Sequence, residues 1–253
     1  VGLVLALRAI DAPPGPRTTA LFVLGVVLVT GSALVKLPTV VALGFVGMAL
    51  ARRWGTGVSA IIRAAVTMLV ISGVTTGLAM LLTSSGLGWI TKLGAATSLR
   101  SWLSPPTALG VITGGIGQYL GLGDHTEQVL VMVQTAALLG AAAFTVRMLF
   151  AVHAGRIDPV GGLGVSMAAI VVCFPVVHPW YVLWALVPLA AWASRVEFRI
   201  PVVAVSAVLA CFTLPPGAGL PPFVTIQAWA ATIVAVLLLL FLLFRWPGLL
   251  RSP

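Results

Sequence analysis

Residues 61–82 read IIRAAVTMLVISGVTTGLAMLL. A helix needs about 20 predominantly apolar residues to cross the hydrocarbon core of a bilayer, and this run meets that length. Its one charge, Arg63, lies near an end, where a long side chain snorkels towards the interface. The stretch is a full-length membrane span, and its neighbours repeat the theme. Residues 19–35 form one apolar run, Lys36 and Pro38 break it, and 39–50 continue it for a shorter length. Residues 129–152 and 160–177 are further spans. Residues 180–193 and 200–214 are short, and 223–244 form the last and most uniformly apolar span. Between the spans, residues 84–128 are mixed and hold a short apolar helix over 106–120. The shorter pieces are tilted or shielded by protein.

The composition agrees. Of 253 residues, 60% are hydrophobic and only 8% charged, against roughly a quarter charged in a soluble domain. So few charges cannot cover a water-facing surface. The expected fold is therefore all-α: a polytopic transmembrane helical bundle with short or broken spans, forming a single transmembrane domain over 1–253. The first residue is Val1, and 1–9 is already apolar, like the tail of a span begun earlier. The sequence thus reads as a fragment truncated at its N-terminus. Cys173 and Cys211 lie in apolar runs and read as buried thiols. The net charge of +9 carries no basic run or nucleic-acid motif and fits loops facing anionic lipid.

Orientation follows from the cations. With Arg17 in the cytoplasm, eleven of the fourteen lie inside or at inner ends of spans: Arg8, Arg17, Arg52, Arg53, Arg63, Arg147, Arg156, Arg195, Arg199, Arg245 and Arg251. Lys36, Lys92 and Arg100 fall outside. The opposite orientation inverts the ratio, so the positive-inside rule selects this one. The outer face then gathers the Lys36 break, the long loop over 84–128, and the stretch VVHPWYVLWALVPL at 176–189.

Three breaks share a local grammar. Lys36-Leu37-Pro38, Ser104-Pro105-Pro106 and His178-Pro179 each put proline in the first turn of a following helix, where its missing N–H has no intrahelical partner to lose. Ser104 and His178 fall near the N-cap. Helix N-termini gather free N–H groups and positive dipole ends. Together with Lys36, Lys92 and Arg100 they suit an anion at the outer surface, such as a lipid phosphate. The loop segment SSGLGWITKLGAATSLRSWLSPPTALG spaces Trp89 and Trp102 among apolar residues and belongs in the interface plane. Lys92 divides evenly between holding anionic headgroups and serving a site. Arg100 and Lys36 lean towards a site, since a lysine at the break of an apolar hairpin is costly unless paired or hydrated. Trp180 and Tyr181 stand as belt anchors or as a wall for a sugar ring.

Carboxylates are scarce. Asp11, Asp158 and Glu197 fall inside, leaving Asp124 and Glu127 as the only outer candidates for a base. A solvated turn or helix cap is the favoured reading of GDHTEQ around them. His125 in that turn is a solvated side chain, and His153 lies in the turn HAGRID. No second ligand has metal-binding spacing to His178. Serine-histidine-aspartate, phosphate-loop and dinucleotide patterns are missing from the sequence. Gly114-Gly115 and Gly161-Gly162 read as close helix packing.

The runs GSALVKLPTVVALGFVG, SGLGWITKLGAATSLRSWLSPPTALG and VVHPWYVLWALVPLA resemble the actinobacterial polyprenol-phosphomannose-dependent α-1,6-mannosyltransferases. The resemblance covers most of the chain and is most specific around Arg100 and in HPWY. It implies a glycosyltransferase of the GT-C fold class in the plasma membrane. It implies mannose on a polyprenyl phosphate as donor, a lipid-linked mannan as acceptor, and inverting transfer on the outer face. No cofactor or metal is expected, and the other partners are membrane lipids. GT-C enzymes carry their acidic catalytic residue in a first outer loop near the N-terminus. That loop is missing here, so the catalytic residue is unknown and the fragment alone is expected to be inactive. The resemblance gives Arg100 and Lys36 to the donor phosphate, His178 to phosphate or sugar, and Trp180 and Tyr181 to the sugar or the first isoprenes. A lipid or solute transporter is the competing class. It would carry charges at span centres and inverted repeats, and no clear repeat is seen. A non-catalytic membrane scaffold is the third.

Overall fold

A computed structural model of the protein describes residues 1–84 and 103–193, with Val202, Ser206 and Ile233 as single positions beyond. Among the described residues there is no strand. The elements are α1 (Gly2–Asp11), α2 (Pro16–Val35), α3 (Val40–Trp54), α4 (Val58–Thr83), α5 (Pro105–Tyr119), α6 (Thr126–His153), α7 (Pro159–Cys173) and α8 (Leu183–Trp192). Short 3-10 turns, Leu37–Thr39 and Pro179–Val182, lead into α3 and α8. Helices α2, α4 and α6 are long and apolar enough to cross a membrane, while α7 and α8 are apolar but shorter. The chain is an all-α membrane protein. The expected helices at 200–214 and 223–244 lie outside the described residues, apart from the three single positions.

Contacts divide the chain into two compact units, Val1–Ala95 with Ala143–Met167, and Ala96–Ala142 with Ala168–Pro253. In the first, α1 crosses α2 on small residues. A Cβ on Gly25 would stand 2.6 Å from the Ala6 nitrogen, so glycine is what lets the two backbones meet. Around that crossing Ala6, Ile10, Val26, Val46, Leu50, Ala51, Ala64 and Met68 form an apolar core. Arg53 donates to the carbonyls of Ala9 and Ala12, at 3.4 and 2.7 Å, and so closes the end of α1. Arg63 lies 4.9 Å from the Trp54 ring centre, a cation–π contact near the start of α4. Helix α4 buries only Ala60, Ala64 and Met68. Its outward Leu69, Val70, Leu78, Leu81 and Leu82 are exposed, which suits a helix solvated by lipid.

Two expectations change. The span over 160–177 is shorter: α7 stops at Cys173, and residues 174–178 are non-helical. Pro175 is the cause. It offers no N–H to a helix ladder and clashes with the preceding turn, and it drives Phe174 towards extended backbone. The run over 180–193 likewise opens with a 3-10 turn before α8 begins at Leu183. The paired glycines also split. A Cβ on Gly114 would come 2.5 Å from the Thr126 Cα, whereas Gly115 has open space around it. In the first unit, Gly162 packs on Phe45 as close helix packing requires.

Candidate functional site

In the second unit, α5 and α6 run antiparallel. Thr107 meets Gln134, Gly110 meets Leu130, and Gly114 meets Thr126. Positions 107, 110 and 114 share one face of α5, and 126, 130 and 134 one face of α6. The two glycines remove the side chains that would hold the backbones apart, so polar groups further along come into bonding range.

Those groups belong to the start of α5. Ser104 is its N-cap in extended conformation, with Pro105 opening the first turn, as the sequence leads one to expect. The Ser104 Oγ accepts from the Thr107 backbone N–H at 3.2 Å and donates to the Phe174 carbonyl at 2.8 Å. The Thr107 hydroxyl donates to the Pro175 carbonyl at 2.7 Å and accepts from the Gln134 side-chain amide at 2.9 Å. Ser104 and Thr107 are buried to within 1% of completely, and Gln134 is 9% exposed. Each hydroxyl thus has its proton and a lone pair engaged. Two carbonyls left bare by the end of α7 are satisfied by the start of α5. A buried polar group left unsatisfied costs about 1–3 kcal/mol.

Gln134 lies eight residues into α6, about 12 Å along its axis at 1.5 Å per residue. Non-helical backbone at membrane depth persists only where protein buries it or water bathes it. Here Pro175, Val176 and Val177 are buried, and the hydroxyls of α5 serve the carbonyls.

The broken segment ends in a set of rings. His178 is extended, and its carbonyl accepts from the Tyr181 N–H at 2.9 Å. Its imidazole stacks on Trp180, with centres 4.6 Å apart and planes 3° from parallel. Tyr181 meets His178 edge-on at 5.1 Å and stacks on Trp184 at 4.1 Å. Trp180 is 46% exposed, while His178, Tyr181 and Trp184 are half-buried. The rings present flat apolar bodies with polar tips. That pairing suits the C–H face and the hydroxyls of a sugar.

Lys36 is exposed at the break between α2 and α3, in the first unit, where its carbonyl accepts from the Thr39 N–H. Asp124 accepts from the Thr126 N–H at 3.1 Å and Glu127 sits in the first turn of α6, both favourable at a helix start. They belong to the end of the α5–α6 hairpin, about 12 Å along α6 from Gln134. Arg100, Lys92, Trp89 and Trp102 lie outside the described residues. His153 is buried at the end of α6, its Nε2 3.3 Å from the Thr56 carbonyl oxygen. A cleft of about 620 Å³ in the first unit is lined by Asp11, Arg52, Arg53 and Asp158 among others. Two of these charges close helix ends: Arg53 at α1, and Asp158 by accepting from Val160 and Gly161. Thr107, Gln134 and Trp184 were missed by sequence reasoning. Gln134 had a signal, as a lone amide in the apolar run VLVMVQTAALLG, and Trp184 follows Tyr181 at helical spacing.

A family model described as "MptB C-terminal domain" matches residues 106–241. The chain belongs to this family. The match takes in α5 to α8, and with them Thr107, Gln134 and the ring cluster. The chain is 44% identical over its whole length to alpha-(1->6)-mannopyranosyltransferase B of Corynebacterium glutamicum, of which it covers 43%. It is 41% identical over 96% of its length to a probable alpha-(1->6)-mannopyranosyltransferase of Mycolicibacterium smegmatis, covering 47% of it. It is 40% identical over 94% of its length to an alpha-(1->6)-mannopyranosyltransferase of Mycobacterium tuberculosis, covering 41% of it. The chain therefore spans less than half the length of these relatives. No solved structure matches it significantly.

Proposed function

We propose that this chain carries the donor-side part of a multi-pass plasma-membrane mannosyltransferase. The enzyme moves mannose from polyprenyl phosphomannose to a lipid-linked mannan on the outer face. The observation that carries the reading is the 40–44% identity to α-1,6-mannopyranosyltransferases over nearly the whole chain. The site in the second unit supports it: a half-exposed aromatic cluster set into apolar, lipid-facing helices suits a sugar whose carrier stays in the membrane.

The chemistry is a single displacement. The acceptor 6-hydroxyl oxygen bonds to the mannose C1 as the bond from C1 to the phosphate oxygen breaks. The hydroxyl proton passes to a base, and polyprenyl phosphate leaves with the electron pair. Attack from the face opposite the leaving group turns a β-linked donor into an α-linked product. His178 hydrogen-bonds the sugar or the phosphate, and Trp180 and Tyr181 form the wall beneath the sugar and first isoprenes. Arg100 meets the departing phosphate, where preorganised positive charge stabilises the charge that develops. Asp124 and Glu127 serve α6 rather than the proton transfer. No metal or cofactor enters this scheme.

The test uses the full-length protein in membranes supplied with radiolabelled polyprenyl phosphomannose. His178→Ala and Arg100→Ala, each at wild-type abundance, are expected to lose most of the transfer. Wild-type rates in both would overturn the site.

A further inference from the structure

We infer that Thr107 and Gln134 are positioning residues for the His178 site, acting together as a buried lock that fixes where the ring cluster stands; the inference rests on the mannosyltransferase reading above. Neither side chain is part of the exposed ring surface. Both are at least nine-tenths buried, and they act through the carbonyl of Pro175.

The mechanical argument comes from the prolines. Pro175 and Pro179 each have a ring-locked φ, and Phe174 and His178, which precede them, are confined to extended backbone. Of residues 174–179 only Val176 and Val177 escape these constraints, and both are packed in the interior. The segment is therefore a stiff strut. One end is the pair of carbonyls held by Ser104 and Thr107, and the other is the His178–Trp180 stack. A shift at the Pro175 end passes to the rings with little slack to absorb it.

Gln134 sets the direction of the lock. The Thr107 hydroxyl has a single proton. Its lone pair receives the Gln134 amide N–H, so the proton is directed at the Pro175 carbonyl. The lock joins α5, α6 and the strut, so the ring cluster is referenced to the hairpin and not to α7 alone. For a transfer that needs the donor carbon in line with the acceptor oxygen, such referencing appears in turnover more than in binding. Misplacement of a reacting group by about 1 Å costs on the order of 100-fold in rate.

The experiment uses full-length protein, with donor kinetics in membranes and amide hydrogen exchange on the same variants in detergent. Thr107→Val keeps the side-chain shape and removes the hydroxyl. It is expected to lower kcat by on the order of 100-fold with little change in KM for polyprenyl phosphomannose. It is also expected to speed exchange across 174–183 while leaving α4 unchanged. Thr107→Ser, which retains the hydroxyl, should restore both. Gln134→Leu should give a smaller loss in kcat, since the Thr107 bond to Pro175 survives without its director. Unchanged exchange across 174–183 in Thr107→Val would overturn the lock, and so would faster exchange with wild-type kcat. Loss of protection throughout α4 with no rescue by Thr107→Ser would also overturn it, because the residue would then serve only the fold. Failure of the mannosyltransferase reading looks different: the wild-type protein itself would transfer no mannose, whatever the exchange shows.

Discussion

The chain breaks a helix with proline at Lys36 and again at His178, and the two places differ in what surrounds them. At the first, α2 ends at Val35, one extended residue follows, and a 3-10 turn leads into α3. Val35 is 82% exposed, and Lys36 and Leu37 are exposed beside it. At the second, several non-helical residues pass through the interior before the 3-10 turn begins. Their carbonyls are met by two buried hydroxyls, and one of these is met in turn by a buried amide. Proline alone is enough to stop and restart a helix. Three polar side chains buried in an apolar protein to hold the restart in place are more than a turn requires, and they mark the second break as the built one.

Mutations at matching places should break this contrast if it is mistaken. The largest effect is expected at the rings: His178→Ala in the full-length protein should cut mannose transfer by on the order of 100-fold, the scale of losing one aimed hydrogen bond at a developing charge. Lys36→Ala should cost much less in the same assay, and equal losses would erase the distinction between the breaks. Next comes the hairpin that supports the built break. Gly114→Val places side-chain atoms against the Thr126 backbone and should lower the thermal midpoint and the activity together. Gly115→Val, pointing into open space, should leave both near wild type, and a matched loss would mean that α5 and α6 do not pack as described. The smallest effect is expected at Asp124→Ala. Loss of its bond to the Thr126 N–H should reduce stability slightly while transfer continues at the wild-type rate. Abolished transfer there would make Asp124 the missing base.

Much of the fold was legible because the bilayer leaves few choices. Runs such as 61–82 have the length and apolarity of a span, and α4, Val58–Thr83, extends that run only slightly. The three X-Pro breaks were legible for a different reason: proline acts on its own backbone. The site was legible only in part. HPWY stood out as four unusual residues in an apolar run, but Ser104 and Thr107 work through partners about 70 residues away, and no local pattern reports a contact of that range. The end of the span at 160–177 was misplaced because apolarity continues through Phe174, Val176 and Val177, while Pro175 ends the helix regardless. The turn-or-cap reading of GDHTEQ rests on local chemistry, since an Asx residue acts on an N–H two positions away, as Asp124 does on Thr126.

We propose that the donor rests on the His178 break rather than on the Lys36 break. Trp180 and Leu37 are 46% and 45% exposed, so a photoreactive phenylalanine analogue can replace either with similar access. The measurement is crosslinking of radiolabelled polyprenyl phosphomannose to each variant of the full-length protein in membranes, with and without excess unlabelled donor. The account predicts competable labelling at position 180 and only background at position 37. Competable labelling at 37 with none at 180 would contradict it.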